Sequence, residues 1–388
     1  MMQPFDRFLE DKPLYYKEID HERVHIAYGL LKPHIRQPRT VHIVGTNGKG
    51  STGRMIAHLA HQSGLNVGHF SSPHILKFNE RIWFNGRDSS DEILEEAHQK
   101  LFTILGPEMS EKLSYFEYTT LLSLVVFENC DFMVLEAGLG GEFDATNVCD
   151  KVLSVITPIG IDHQAFLGES IEEIAGTKIR SIQKALLLAP QAYDEVGKIA
   201  KQIADEKGAK LYLSLCPSHR MTELEVIAEE RSWGDYLIDN ACVALQALEI
   251  LDISYDVNDL RSLELFGRFY PLTENIRIDV GHNPLAAKAI VKALDNKVVL
   301  IYNSLDDKDY ETVLQTLKPK VKRVEIIPIN SQRATTFSEI EKALEKVGIA
   351  YGYFESKIDE NEHYLVFGSF YVVEEFLNKM KKKINVPK

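Results

Sequence analysis

The segment Gly45-Thr46-Asn47-Gly48-Lys49-Gly50-Ser51 combines the residue types that hold a phosphate. Its glycines let backbone N–H groups crowd around an anion with no Cβ in the way. Lys49 can reach the outer phosphates of a nucleotide, and the Ser51 hydroxyl can ligate Mg2+. The spacing is more compact than the common G-x-x-x-x-G-K-[ST] loop, because only two residues separate Gly45 from Gly48-Lys49 and Gly50 precedes Ser51. A flexible turn with a solvated lysine is the plain alternative. The surroundings favour the cradle: Val41–Val44 predicts a buried strand and 52–63 a helix, so a helix N-terminus faces the anion.

Other candidate residues also sit at the ends of predicted strands. Phe132–Glu136 predicts a buried strand closing on a carboxylate and followed by Gly138-Leu139-Gly140-Gly141. An acid there, near a phosphate loop, suits Mg2+ coordination, directly or through water. Val155–Thr157 predicts a strand leading to Asp162-His163, whose imidazole could ligate a divalent metal with acidic assistance. Asp279-Val280-Gly281-His282-Asn283-Pro284 again ends a strand with polar groups and opens a helix, with Gly267-Arg268-Phe269 upstream and Asn303–Asp309 downstream. Each of these alone could be a capped turn. Lys178, on a predicted helix, reads by itself as a solvated charge.

These groups need a frame. Apolar runs at 41–44, 67–71, 132–136, 152–157, 185–189 and 210–213 alternate with helical patterns at 52–63, 91–105, 117–128, 171–183, 194–206 and 236–251. A second alternation starts near 275, with strands at 275–280, 298–302, 323–327 and 364–367 and helices between them. The pattern predicts an α/β protein: a P-loop ATPase-like domain with a mostly parallel sheet, then a smaller Rossmann-like α/β domain. The expected division is 1–266 and 267–388. At 388 residues both can have their own core. A net charge of −13 argues against sequence-independent nucleic-acid binding. No apolar run approaches the ~18 residues of a membrane span, so no membrane partner is expected. Cys130, Cys149, Cys216 and Cys242 are far apart in sequence and read as reduced core thiols of a cytoplasmic protein.

The blocks, in order, resemble the folylpolyglutamate synthase/dihydrofolate synthase family of the Mur-ligase superfamily. The matching pieces include Gly45–Ser51, Phe70-Ser71-Ser72-Pro73-His74, Asn79-Glu80-Arg81-Ile82, Phe116-Glu117-Tyr118-Thr119, Leu135–Gly141, Asp144-Ala145-Thr146-Asn147, Asp162-His163, Asn240, Gly267-Arg268-Phe269, Asp279 with His282-Asn283-Pro284, and Asp307-Lys308-Asp309. The resemblance implies a Mur-ligase architecture and an ATP- and Mg2+-dependent amide ligase. A pterin or folate carboxylate would be phosphorylated by ATP, and the amine of L-glutamate would then displace phosphate from the acyl phosphate. It also implies residue roles. Lys49 would neutralise the transferring phosphoryl group. Gly45, Thr46, Asn47, Gly48, Gly50, Ser51, Asn240, Arg268, Asp279 and His282 would bind ATP. Ser51, Glu136, His163 and a carbamylated Lys178 would hold the metal. Ser72, Phe116 and Asp144 would lie around the pterin.

Two departures stand out. The usual Glu-Lys-Ala-Gly is Thr177-Lys178-Ile179-Arg180 here, and the usual Gly-Gly-Arg is Gly140-Gly141-Glu142, a reversal of charge. The expected protein is a monomeric ligase with small-molecule substrates, carrying both ligase activities or one of them. A cell-wall Mur ligase and a non-catalytic nucleotide switch are the competing readings. The switch reading lacks a guanine-reading Asn-Lys-x-Asp motif.

Overall fold

The computed structural model describes residues 3–13, 20–216, 218–381 and 383. The chain forms two compact units, one of 1–218 with 240–260 and the other of 219–239 with 261–388.

The first unit is built on an eight-stranded sheet. Its strands are β1 (Arg39–Val44), β2 (Val67–Phe70), β3 (Ile82–Phe84), β4 (Arg87–Asp88), β5 (Phe132–Glu136), β6 (Leu153–Ile156), β7 (Ala185–Leu188) and β8 (Lys210–Leu213). The order across the sheet is β4-β3-β2-β5-β1-β6-β7-β8. All neighbours run parallel except at the β2–β3 and β3–β4 pairs. β2, β5 and β6 are buried along their whole length, as expected when helices cover both faces of a parallel sheet. One core cluster gathers Phe70, Met133 and Leu135 with Leu101, Leu121 and Leu122 of the helices Asp91–Lys112 and Tyr115–Val126. Another gathers Ile156, Leu186 and Leu188 with Ile174 and Ala200 of the helices Ile171–Ile179 and Asp194–Lys207.

Local chemistry sets the helix ends. Ser114 with Glu117 and Ser170 with Glu173 form capping boxes, which satisfy backbone N–H groups left over in a first turn. The helix expected over 91–105 continues to Lys112 after a break at Gly106, whose φ of 73° stops one helix before Pro107 starts the next.

The second unit has six strands: β9 (Tyr270–Pro271), β10 (Ile276–Ile278), β11 (Val298–Tyr302), β12 (Val321–Ile326), β13 (Tyr351–Tyr353) and β14 (Tyr364–Phe367). Their order is β13-β12-β11-β14-β10-β9, parallel apart from β9. Its core packs Leu300, Val324 and Leu365 against Ile290, Leu314 and Leu344 of the covering helices.

The cysteine expectation is corrected. Cys216 and Cys242, 26 residues apart in sequence, form a disulfide across a Cα separation of 5.1 Å. Cys130 and Cys149 remain buried thiols. The sequence separation hid the pair, because the fold brings the end of the segment after β8 against the helix Asp235–Ile250.

Candidate active site

β1 lies between β5 and β6, with Ile43 opposite Glu136 and Val44 opposite Ile156. Phe70 pairs with Leu135 on the far side of β5. Four loops therefore leave neighbouring strand ends: 45–48, 71–77, 137–144 and 157–163. Parallel strand ends of this kind are where open α/β sheets bind ligands.

The phosphate loop is fixed by its backbone. A Cβ on Gly45 would lie 1.9 Å from Thr157 Oγ1, so only glycine fits there. The N–H groups of Thr46 and Asn47 donate to Pro158 O at 3.0 and 3.1 Å. Thr46 Oγ1 is hydrogen-bonded to Gly160. Gly48, at φ 83°, turns the chain into the helix Lys49–Gln62, whose second and third residues are Gly50 and Ser51. Lys49 Nζ donates to the carbonyls of Gly45 and Thr46, both at 3.3 Å. Ser51 Oγ donates to Gly48 O at 3.2 Å and accepts from Asn240 Nδ2 at 2.8 Å. Asn240 also packs on Gly48, where a Cβ would meet its Oδ1 at 2.8 Å.

Lys178 is buried, and its ammonium donates to Gly45 O at 2.9 Å. Taken by itself this lysine reads as a solvated charge, and only the family resemblance places it at the site. Glu136 is buried at the end of β5 and accepts from Ser72 N at 3.4 Å, which ties the 71–77 loop to the same strand end. His163 adopts φ 55°, a conformation that a non-glycine residue holds only where the surroundings impose it. Its Nε2 lies 3.9 Å from Asp162 Oδ1.

A serine hydroxyl, a buried carboxylate and an imidazole are a donor set compatible with Mg2+. A hydroxyl has two acceptor lone pairs, and Asn240 occupies one of those on Ser51. Among the described residues no group of three or more His, Cys, Asp or Glu could hold a metal. Mg2+ takes one or two carboxylates and fills the rest of its shell with water and substrate phosphate oxygens.

Phe116 and Asp144 frame the loop after β5. The Phe116 ring lies against Gly138, where a Cβ would fall 2.5 Å from Cζ, and 5.8 Å from the ring of Phe70. Asp144 is buried and turned into its own loop. Oδ2 accepts from Leu139 N at 2.8 Å, and Oδ1 accepts from Thr146 N at 3.0 Å and Thr146 Oγ1 at 2.5 Å. Burial pushes its carboxyl above the usual range, and the backbone donors of Leu139 and Gly138 and the Thr146 donors oppose that. Thr146 Oγ1, which donates its hydrogen bond to Asp144, accepts from His42 Nε2 at 2.8 Å. His42 lies on β1, so the buried chain His42–Thr146–Asp144 locks the loop to the strand that carries the phosphate loop.

In the second unit, Asp279 follows β10 as an organiser of backbone. Its Oδ2 accepts from Phe269 N at 2.8 Å and Tyr236 Oη at 3.0 Å, and its Oδ1 accepts from Gly281 N at 2.7 Å. Burial raises its carboxyl above the usual range, against the Gly281 N–H and the charge of Arg268. Arg268 donates to Gly267 O at 3.2 Å and stacks over Phe370 at 5.2 Å. His282 Nδ1 lies 3.1 Å from Val280 O. Asn283 and Asp309 cap helices through Ala286 N and Thr312 N.

Sequence reasoning missed Pro158 and Thr157, which shape the phosphate loop, and Tyr236, which holds Asp279. The strand end at 155–157 was the available signal for the first two. Tyr236 offered none, since it lies 43 residues from Asp279.

No family model matches the chain. Similarity to individual proteins is extensive. A dihydrofolate synthase/folylpolyglutamate synthase of Haemophilus influenzae is 31% identical over 87% of this chain and 88% of its own length. A crystal structure of Helicobacter pylori folylpolyglutamate synthetase is 40% identical, with a TM-score of 0.78 over 97% of this chain and 98% of that one. Escherichia coli FolC in complex with DHPP and ADP is 27% identical, with a TM-score of 0.81 over 98% of both chains.

Proposed function

Because this chain belongs to the dihydrofolate synthase/folylpolyglutamate synthase family, we propose that it is an ATP-dependent amide ligase that joins L-glutamate to dihydropteroate, to tetrahydrofolate (poly)glutamates, or to both. The observation that carries this reading is similarity to individual dihydrofolate synthase/folylpolyglutamate synthases over nearly the whole chain, together with the strand–loop–helix phosphate loop.

The chemistry suits the residues. Phosphoryl transfer asks a protein for positioning and charge neutralisation more than for covalent work. The carboxylate oxygen of the acceptor attacks the γ-phosphorus, the bond to the ADP oxygen breaks, and an acyl phosphate results. The glutamate amine then attacks the acyl carbon, loses a proton, and phosphate leaves. Lys49 and the first-turn N–H groups of the helix Lys49–Gln62 would take up charge on the phosphates. Ser51, Glu136 and His163 would hold Mg2+, which supplies Lewis-acid neutralisation of phosphate oxygens. Asn240 would keep Ser51 in place. Lys178 would serve the same site, as an ammonium on Gly45 or, once carbamylated, as a metal ligand. Ser72, Phe116 and the loop held by Asp144 would bind the acceptor. Arg268, Asp279 and His282 are carried forward as nucleotide-binding candidates on the family resemblance. No helix among the described residues is long and apolar enough to cross a membrane.

The test is ADP formation with ATP, Mg2+ and L-glutamate, with dihydropteroate and tetrahydrofolate offered side by side. Turnover with an amide product is expected for at least one. No turnover with either contradicts the proposal. Turnover with only one selects a single-activity ligase.

A further inference from the structure

Two charged residues that the mechanism does not use meet beside the site. Arg180 Nε donates to Glu142 Oε2 at 2.5 Å. Glu142 belongs to the loop that Asp144 locks, and Arg180 caps the C-terminus of the helix Ile171–Ile179, which carries Lys178. The loop and this helix end are in direct backbone contact. Glu142 N donates to Thr177 O at 2.9 Å, and a Cβ on Gly141 would lie 2.4 Å from Lys178 O.

The guanidinium is aimed by its own helix. Its Nη2 reaches Thr177 Oγ1 at 3.4 Å. It folds back over Gly176, where a Cβ would stand 2.8 Å from Nη1. A methyl group at 176 would push the guanidinium tip aside. The far end of the loop has a separate anchor, the buried ammonium of Lys151, which bridges Asn147 Oδ1 and Ser181 O.

We propose that Glu142 and Arg180 are a positioning pair that sets the acceptor-side loop in register with the helix turn carrying Lys178, and through Lys178 with Gly45 of the phosphate loop. The contact path is continuous: loop to Glu142, Glu142 to Arg180 and Thr177, and Lys178 to Gly45. The pair does not serve global stability. The Arg180 side chain is 44% exposed and that of Glu142 29%, and ion pairs that wet contribute little to folding. Its effect falls on where the loop sits, and so on acceptor binding. The proposal rests on the ligase reading for the meaning of acceptor.

Four variants of the full chain test it: Glu142→Arg, Arg180→Glu, the charge swap combining both, and Gly176→Ala. Alanine favours helix over glycine, so Gly176→Ala keeps the helix while displacing the guanidinium. The single reversals and Gly176→Ala are expected to raise the acceptor KM about five- to tenfold with kcat within about twofold and Tm unchanged. The swap is expected to recover the acceptor KM to within about threefold of the parent. A parent-like KM in all three single variants, or a swap no better than the product of its parts, overturns the proposal. Amide hydrogen exchange across 138–148 is read on the same proteins without substrate. Faster exchange in the singles and recovery in the swap are expected, and unchanged exchange overturns the pair. An inactive parent with the expected exchange pattern would count against the ligase reading alone. If Arg180→Glu does not fold, Glu142→Arg carries the same two readouts.

Discussion

Lys178 Nζ donates to the carbonyl oxygen of Gly45 at 2.9 Å, although the two residues are 133 positions apart. Lys49 Nζ approaches the same oxygen at 3.3 Å. Two ammonium groups thus share the first carbonyl of the phosphate loop. Lys178→Ala should lower kcat by about 10²-fold, the scale of a lost charge-stabilising group in a phosphoryl-transfer site. Methylammonium should restore part of that activity, because it supplies the missing donor. Rescue by formate in place of methylammonium would instead identify the working form as a carbamate.

Asn240 links the loop to the helix Asp235–Ile250 through its bond to Ser51 Oγ. Its removal leaves a buried hydroxyl short of one donor, a loss of about 1–3 kcal/mol. Asn240→Ala should raise the KM for ATP by about tenfold and increase the Mg2+ concentration needed for half-maximal rate. Unchanged ATP and Mg2+ dependence would remove Asn240 from the site.

Phe116 presents its ring edge to Gly138 and packs near Phe70. An aromatic side chain at this strand end offers a flat apolar surface to a ring-bearing acceptor. Phe116→Ala should raise the acceptor KM by about tenfold and leave the ATP KM within twofold. Equal effects on both would mean that the ring acts only through packing.

Burial holds the imidazoles of His42 and His69 well below the usual range. Burial, and then the neighbouring Arg81 guanidinium, hold His74 down to about 4. A depressed folded-state value stabilises the fold above the unfolded-state value near ~6.5. Below that pH the unfolded chain binds protons that the folded chain refuses, so stability falls as pH drops from about 6.5 toward 4. For His74 the slope is at most about 1.4 kcal/mol per pH unit. His74→Gln keeps an acceptor for Arg81 Nε, which lies 2.8 Å from His74 Nδ1. The variant should lose less Tm than the parent between pH 6.5 and 4.5, and an identical slope would contradict the assignment.

Much of the frame was legible because strands buried on both faces read as continuous apolar runs. β1, β5 and β11 lie where those runs predict. The short strands β3, β4, β9 and β13 were not, since two or three residues carry no period. The phosphate loop was legible from its glycines and its strand–loop–helix context. The partners of its residues were not, because they depend on which strand ends become neighbours. Glu142 and Arg180 make the point most directly. Each reads as an isolated departure from the family pattern, 38 positions apart, yet in the fold they are an ion pair. Asp279 and Asp144 offer a different lesson: the first reads as a polar group at a strand end, the second is placed around the pterin by the resemblance alone, and both spend their oxygens on nearby backbone and hydroxyl donors.

The central claim is that the phosphate loop hands a phosphoryl group to the acceptor carboxylate. The acceptor can be prepared with 18O in that carboxylate and turned over with ATP, Mg2+ and L-glutamate. Mass spectrometry of the released phosphate then reads the oxygen transferred. The account predicts one 18O per phosphate, because the acyl phosphate cleaves with its bridging carboxylate oxygen retained on phosphorus. Unlabelled phosphate accompanying amide formation would contradict it.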